Sequence, residues 1–132
     1  MPTENIQISL SENGADGISE VRIDGVIDTM TAGELEEVID SLIRRNRHRI
    51  LIDLAGVDYI SSAGWGILIS HIKDIRTNEG DIKLANMVPN VFEIYQLLEF
   101  DNVLRAHPSI DSARREFSSH PVTPDQKKKG RK

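Results

Sequence analysis

Apolar residues in this chain change their spacing along the sequence. They recur at every second residue, then at every third or fourth, then back again, and no other feature constrains the fold as much. Ile6, Ile8 and Leu10 alternate with polar residues, which is strand spacing. The turn dipeptides Asn13-Gly14 and Asp16-Gly17 follow, and then Ile18 and the stretch from Val21 to Ile27 form a second extended run. Together they predict a β-hairpin over residues 6–27. Thr31 with Glu34 three residues later has capping-box spacing, so the Thr hydroxyl and the Glu carboxylate are each expected to take a free helix-start N–H. Leu35, Val38, Ile39, Leu42 and Ile43 continue at helical spacing, and Arg44, Arg45 and Arg47 suit the negative end of the helix dipole. Ile50-Leu51-Ile52, bounded by charges, predicts a buried strand over residues 49–54. Ser61-Ser62 then opens a second helix, with Trp65, Leu68, Ile69, Ile72 and Ile75 on one face and Gly80 near its stop. Residues 81–85 read as a strand. Pro89 opens a third helix whose apolar members are Val91, Ile94, Tyr95, Leu97 and Leu98. Val103-Leu104 reads as a short strand, and Pro108 starts a last helix with Ile110, Ala113, Arg114 and Phe117 at helical spacing.

Strands that alternate with helices pair in parallel through right-handed crossovers, and the leading hairpin makes the sheet mixed. The expectation is an α/β fold: a mixed, mostly parallel four- to five-stranded sheet with an N-terminal β-hairpin and about four helices. A chain of 132 residues can bury one core, which predicts one domain. No window approaches 18 consecutive apolar residues and no basic-then-apolar leader opens the chain, so neither a membrane partner nor secretion is expected and the cytoplasm is the predicted home. The chain has no cysteine, which excludes disulfides, thiol catalysis and zinc–thiolate sites. Charge is uneven. Residues 118–132 sum to +4, from Lys127, Lys128, Lys129, Arg131 and Lys132 against Asp125, whereas residues 1–117 sum to −9. An acidic body lacks the basic face that duplex phosphates need, and three Phe, two Tyr and one Trp offer few surfaces for base stacking, so nucleic acid is not an expected partner. Pro121, Pro124 and the absence of apolar periodicity predict a disordered basic tail over residues 118–132, behind a domain of residues 1–117.

The stretch Asp53-Leu54-Ala55-Gly56-Val57-Asp58-Tyr59-Ile60-Ser61-Ser62-Ala63-Gly64-Trp65-Gly66 runs from the buried strand through a short loop into a helix. The first four N–H groups of a helix lack internal partners and sit at the positive end of its dipole, so an anion is favoured there. A phosphate on Ser62 could accept bonds from those groups. Gly64 and Gly66 lack side chains, which would let a partner approach the backbone. The alternative is plain capping, with Ser61 as N-cap and Ser62 incidental. Enzyme motifs do not fit. No glycine stands two before either serine, as a nucleophile elbow requires, and Ile69 holds the place of the third glycine of a dinucleotide fingerprint. There is no P-loop, and His48, His71, His107 and His120 have no partners at metal-ligand spacing. No catalytic residue, metal or cofactor is expected.

Three segments resemble the STAS domain, the fold shared by sulfate transporters and anti-sigma factor antagonists, and among its members the free-standing bacterial antagonists. They are Gly25-Val26-Ile27-Asp28-Thr29-Met30-Thr31-Ala32, the stretch from Asp53 to Gly66, and the glycine–strand–proline–helix segment from Gly80 to Leu98. The resemblance spans residues 6–117. It implies a partner-exchange switch in which the unphosphorylated protein sequesters a serine protein kinase that doubles as the anti-sigma factor. Phosphorylation releases that kinase, and a metal-dependent serine phosphatase resets the system. By resemblance Ser62 matches the phosphoacceptor, and Ser61, standing where the family has an acidic residue, is a possible alternative acceptor. Asp28, Thr29, Met30, Ile60, Ala63, Gly64, Trp65 and Gly66 are expected to meet the partner. Trp65 replaces the usual leucine and is either a core residue or an exposed interface anchor. Asp28 matches an acidic residue near the phosphoacceptor, or is a simple turn residue. The rival readings are a STAS scaffold or a subunit of a transporter or signalling complex acting without phosphorylation, a small-ligand or nucleotide binder using the same helix start, and, least favoured, a serine hydrolase. A monomer or a weak homodimer is expected.

Overall fold

The computed structural model describes residues 6–12 and 16–119. The elements run β1 (Ile6–Ser11), β2 (Ile18–Ile27), α1 (Ala32–Arg44), β3 (Arg49–Ile60), α2 (Ser62–Thr77), β4 (Asp81–Ala85), α3 (Pro89–Leu97), a 3-10 turn (Phe100–Asn102), β5 (Arg105–His107) and α4 (Ile110–Ser119). The five strands lie side by side in chain order. Only β1 and β2 are antiparallel; β2–β3, β3–β4 and β4–β5 are parallel. The expected mixed sheet and four helices are therefore present. Among the described residues no helix is long and apolar enough to cross a membrane.

Strand alternation divides the interior in two. Ile50, Ile52 and Leu54 of β3 enter the main core with Leu35, Ile39 and Leu42 of α1, Leu68, Ile72 and Ile75 of α2, and Val91 and Tyr95 of α3. Leu51 points the other way and joins Ile18, Ala85, Ala113 and Phe117 in a small second cluster under α4. Ile50, Leu51 and Ile52 are all fully buried, as a strand covered on both faces demands.

Several local expectations need correcting. Thr31 is the N-cap of α1, but its side chain caps nothing. Its hydroxyl instead donates to the Val26 carbonyl at 2.7 Å and accepts from the Asp28 N–H at 2.9 Å, because the turn out of β2 places those stronger partners closer than the helix amides. The predicted strand at Val103-Leu104 is displaced to Arg105–His107, since the Val103 and Leu104 N–H groups are both engaged by the Phe100 carbonyl. No loop separates β3 from α2: the strand pairs with β2 as far as Ile60 and Ser61 begins the helix. Ile94, Leu97 and Leu98 belong to no core and are exposed. The last helix opens after Pro108, with the Ser109 hydroxyl accepting from the Ser112 N–H at 3.1 Å. That helix extends through Ser119, two residues past the predicted domain end, and the lysine-rich tail lies outside the described residues, as does Asn13-Gly14. Gly80 does stand near the stop of α2, where the left-handed residue is Glu79, at φ 66°. Gly80 is needed because a methyl group there would strike the His48 carbonyl, which accepts the Asp81 N–H at 2.8 Å.

Candidate functional site

Ile27, the last residue of β2, pairs with Ile60, the last of β3. Two segments therefore leave the sheet at the same end, Asp28-Thr29-Met30 from one strand and Ser61-Ser62 from the other. The Ser61 N–H donates to the Ile27 carbonyl at 2.8 Å and ties them together. Ligand sites of open α/β sheets collect at this carboxyl end of the strands.

The two serines divide the labour. Ser61 has extended geometry, φ −80° and ψ 172°, and its Oγ accepts from the Gly64 N–H at 3.3 Å while its carbonyl accepts from the Trp65 N–H at 3.0 Å. It is the cap. Ser62 is the first residue of α2 and is exposed, and its hydroxyl makes no hydrogen bond among the described residues. A hydroxyl there is reachable from solvent and lies where the helix dipole favours added negative charge.

Asp28 organises the neighbouring segment. Its Oδ1 accepts from the Met30 N–H at 2.9 Å and the Thr31 N–H at 3.1 Å, and its carbonyl accepts from the Ala32 N–H at 2.8 Å. Thr31, itself buried, closes the loop from below. The outcome is a fixed turn that leaves Met30 80% exposed, with Thr29 exposed beside it. Thr31 was missed as a loop-holding residue because its spacing to Glu34 pointed to a capping box. The spacing from Asp28 to Thr31 was the better signal, since an Asp side chain readily bonds backbone N–H groups two and three residues on.

The expected partner-facing residues separate into two sets. Thr29, Met30 and Gly66 are exposed, and Asp28 and Ala63 are half-buried. Ile60, Gly64 and Trp65 are turned inward. A Cβ on Gly64 would fall 2.6 Å from Ile27 Cγ2 and 2.8 Å from Ile60 Cγ2. The missing side chain thus serves close packing of the helix start on the strand ends, not access for a partner. Trp65 is 2% exposed, with its ring centroid 4.9 Å from that of Phe100 and 6.2 Å from that of Tyr95. It is a core residue and cannot act as an exposed anchor, because it projects from the first turn of α2 into the space between α3 and the 3-10 turn. Tyr59, at the end of β3, is an exposed aromatic that the sequence reading did not single out.

The histidines within the described residues lie away from this site. His71 of α2 approaches Glu36 and Asp40 of α1 at 3.6 and 3.7 Å, and His107 of β5 lies against Glu116 of α4 at 2.8 Å. Among the described residues, no group of three or more His, Asp or Glu side chains is placed to hold a metal ion.

The STAS domain family model matches residues 10–113. BtrV of Bordetella bronchiseptica, an assigned anti-sigma factor antagonist, is 26% identical over 112 residues, covering 85% of this chain and 97% of BtrV. The crystal structure of an anti-sigma factor antagonist from Mycobacterium paratuberculosis superimposes with a TM-score of 0.74 at 25% identity, covering 83% of this chain and 92% of that one. SpoIIAA shares the fold in its unphosphorylated form (TM-score 0.66, 13% identity, 86% of this chain and 98% of that one). It does so equally in its phosphorylated form from Bacillus (TM-score 0.64, 14% identity, 83% and 98%). With the strand order, the helix start at Ser61-Ser62 and the family match in agreement over most of its length, this chain belongs to the STAS domain family.

Proposed function

We propose that this protein is an anti-sigma factor antagonist switched by phosphorylation of Ser62. It binds a serine protein kinase of the anti-sigma type when Ser62 is unmodified, loses that partner when Ser62 is phosphorylated, and is reset by a metal-dependent serine phosphatase. It is a substrate and binding module in this exchange, with no chemistry of its own. One observation carries the reading: Ser61 occupies the cap, so the Ser62 hydroxyl stands exposed at the positive end of α2. Relatives named as anti-sigma factor antagonists, and a fold neighbour solved in both phosphorylation states, support it.

The physics of the switch is local. A partner docked over Met30, Ala63 and Gly66 excludes water from an uncharged helix start. A phosphate there adds about −1.5 to −2 charges, to which the helix-start N–H groups can donate hydrogen bonds within the protein but which a docked surface must desolvate. Moving an equilibrium from mostly bound to mostly free takes roughly 5.5 kcal/mol of differential affinity, and a covered phosphate can supply this without refolding the domain.

The test is intact-mass analysis after incubation with a serine protein kinase of the anti-sigma type and ATP. The protein should gain one phosphate, Ser62→Ala should gain none, and Ser61→Ala should still gain one. Binding to the kinase should be lost in Ser62→Asp. Phosphate on Ser61 alone, or equal kinase binding by Ser62→Asp and the wild type, would overturn the proposal. Kinase binding with no phosphate transfer at all would favour the scaffold reading.

A further inference from the structure

The sheet has two edges, and they are built differently. At one, β5 is three residues long, Arg105 stands exposed on it beside Glu116, and α4 packs across it. Shortness, charge and a covering helix are the usual protections of an edge against another strand. At the other edge, β1 runs Ile6-Gln7-Ile8-Ser9-Leu10-Ser11, with no charge, no proline and an unbroken antiparallel register to β2. Among the described residues no strand pairs with its outer side. Alternate residues of an antiparallel strand turn their N–H and C=O groups away from the neighbour they pair with, so β1 offers a row of such groups outward. The strand is also held in place. At its end Glu12 lies 2.8 Å from Arg45 Nη2 and 3.2 Å from Ser19 Oγ. Its apolar side is incompletely covered: Ile6 is buried and Ile8 is half-buried against the main core, but Leu10 is 44% exposed.

We propose that β1 is a self-pairing edge: two copies of this chain join β1 to β1 antiparallel, about a two-fold axis perpendicular to the sheet, and extend its five strands to ten. A second copy fits this strand for three reasons. Identical strands related by such an axis exchange N–H and C=O groups reciprocally, so one sequence satisfies both sides. The strand is uncharged, so two copies meet there without like charges opposed, although each chain carries a net charge of −5. Beside it on β2, Arg22 and Asp24 neutralise each other at 2.9 Å. With the axis through Ser9, Ile8 of each copy stands opposite Leu10 of the other on the core side, which covers the exposed leucine, and the two Ser9 residues stand opposite one another. A pairing of this length makes a small interface, below about 1,200 Å², so the dimer is weak and concentration-dependent. The axis reverses strand direction between the copies. The two Ser62 ends of the sheet therefore point in opposite directions, and both stay open.

The experiment is sedimentation velocity of the full chain from about 1 to about 300 µM, which should show a monomer passing into a dimer with no larger species. Ser9→Lys puts like charges directly opposite one another and Leu10→Lys removes the apolar contact. Together they should raise the midpoint concentration by about tenfold or more. The chain has no cysteine, so Ser9→Cys is a single reporter that should form a disulfide-linked pair on mild oxidation. Ser70→Cys, at an exposed position of α2, should form far less. Should the double lysine variant fail to fold, the cysteine comparison decides on its own. A monomer at every concentration, a midpoint that the lysines leave unchanged, or equal cross-linking of Ser9→Cys and Ser70→Cys would each overturn the proposal.

Discussion

Gly64 and Gly66 stand two residues apart in the first turns of one helix, and the structure predicts opposite signs for the same substitution at each. Neither has positive φ, so alanine brings no backbone strain at either position. At Gly66 the added methyl meets nothing within 4 Å, and replacing a helical glycine should stabilise by about 0.5–1 kcal/mol. At Gly64 the methyl would lie 2.6 Å from Ile27 Cγ2 and 2.8 Å from Ile60 Cγ2. Both neighbours are buried β-branched residues at strand ends, so their side chains have little rotamer freedom with which to yield. Overpacking of this kind costs about 1–3 kcal/mol, and the helix-propensity gain offsets part of it, leaving a net loss of about 1–2 kcal/mol. In urea, with a slope of about 1–3 kcal/mol per molar, the midpoints of Gly64→Ala and Gly66→Ala should differ by roughly 1 M, on opposite sides of wild type and with unchanged slopes. Gly64→Ala should also weaken kinase binding, because lifting α2 off the strand ends shifts Ser62 against Met30. A Gly64→Ala protein as stable as Gly66→Ala would refute the packing argument and the role given to that glycine.

Further substitutions separate structural from functional roles. Ser61→Ala removes the cap and should cost about 1 kcal/mol, whereas Ser62→Ala, at an exposed position, should change stability by less than about 0.5 kcal/mol while abolishing phosphate uptake. Thermal melts with mass spectrometry read both. Thr31→Val leaves the Asp28 N–H and the Val26 carbonyl without their partner and should cost about 1–3 kcal/mol, with Thr31→Ser restoring most of it. Trp65→Ala should cost about 3–5 kcal/mol. As Trp65 is the sole tryptophan, its emission should be blue-shifted in the native protein and move to the red in step with unfolding.

The elements that the sequence made legible are those whose apolar period is unmistakable. The two-residue alternation of Ile6, Ile8 and Leu10 became the edge strand β1, and the run at Ile50-Leu51-Ile52 became the central strand buried on both faces. Legibility failed where two local rules competed. A Thr hydroxyl can cap a helix or bind a turn, and only the path of the chain out of β2 put the Val26 carbonyl within its reach. Ile94, Leu97 and Leu98 have the composition of a core face, yet α3 is short and packs through Val91 and Tyr95 alone, so the rest face solvent. At the site, the motif pointed to the Ser61-Ser62 pair but left open which serine caps and whether Trp65 faces in or out.

By itself, then, the sequence determined the order and type of the strands and helices, that they wind into one mixed sheet, and that two adjacent hydroxyls open the second long helix. Those are consequences of periodicity and of local backbone chemistry, which operate within a few residues. Tertiary structure alone decided that Ser61 is engaged and Ser62 exposed, that Trp65 and Gly64 serve the core, and that Lys83, His107 and Glu116 meet beneath α4. Each of these depends on which residues from distant parts of the chain are brought within a few ångströms, and only the pairing of strands and the packing of helices on them sets that.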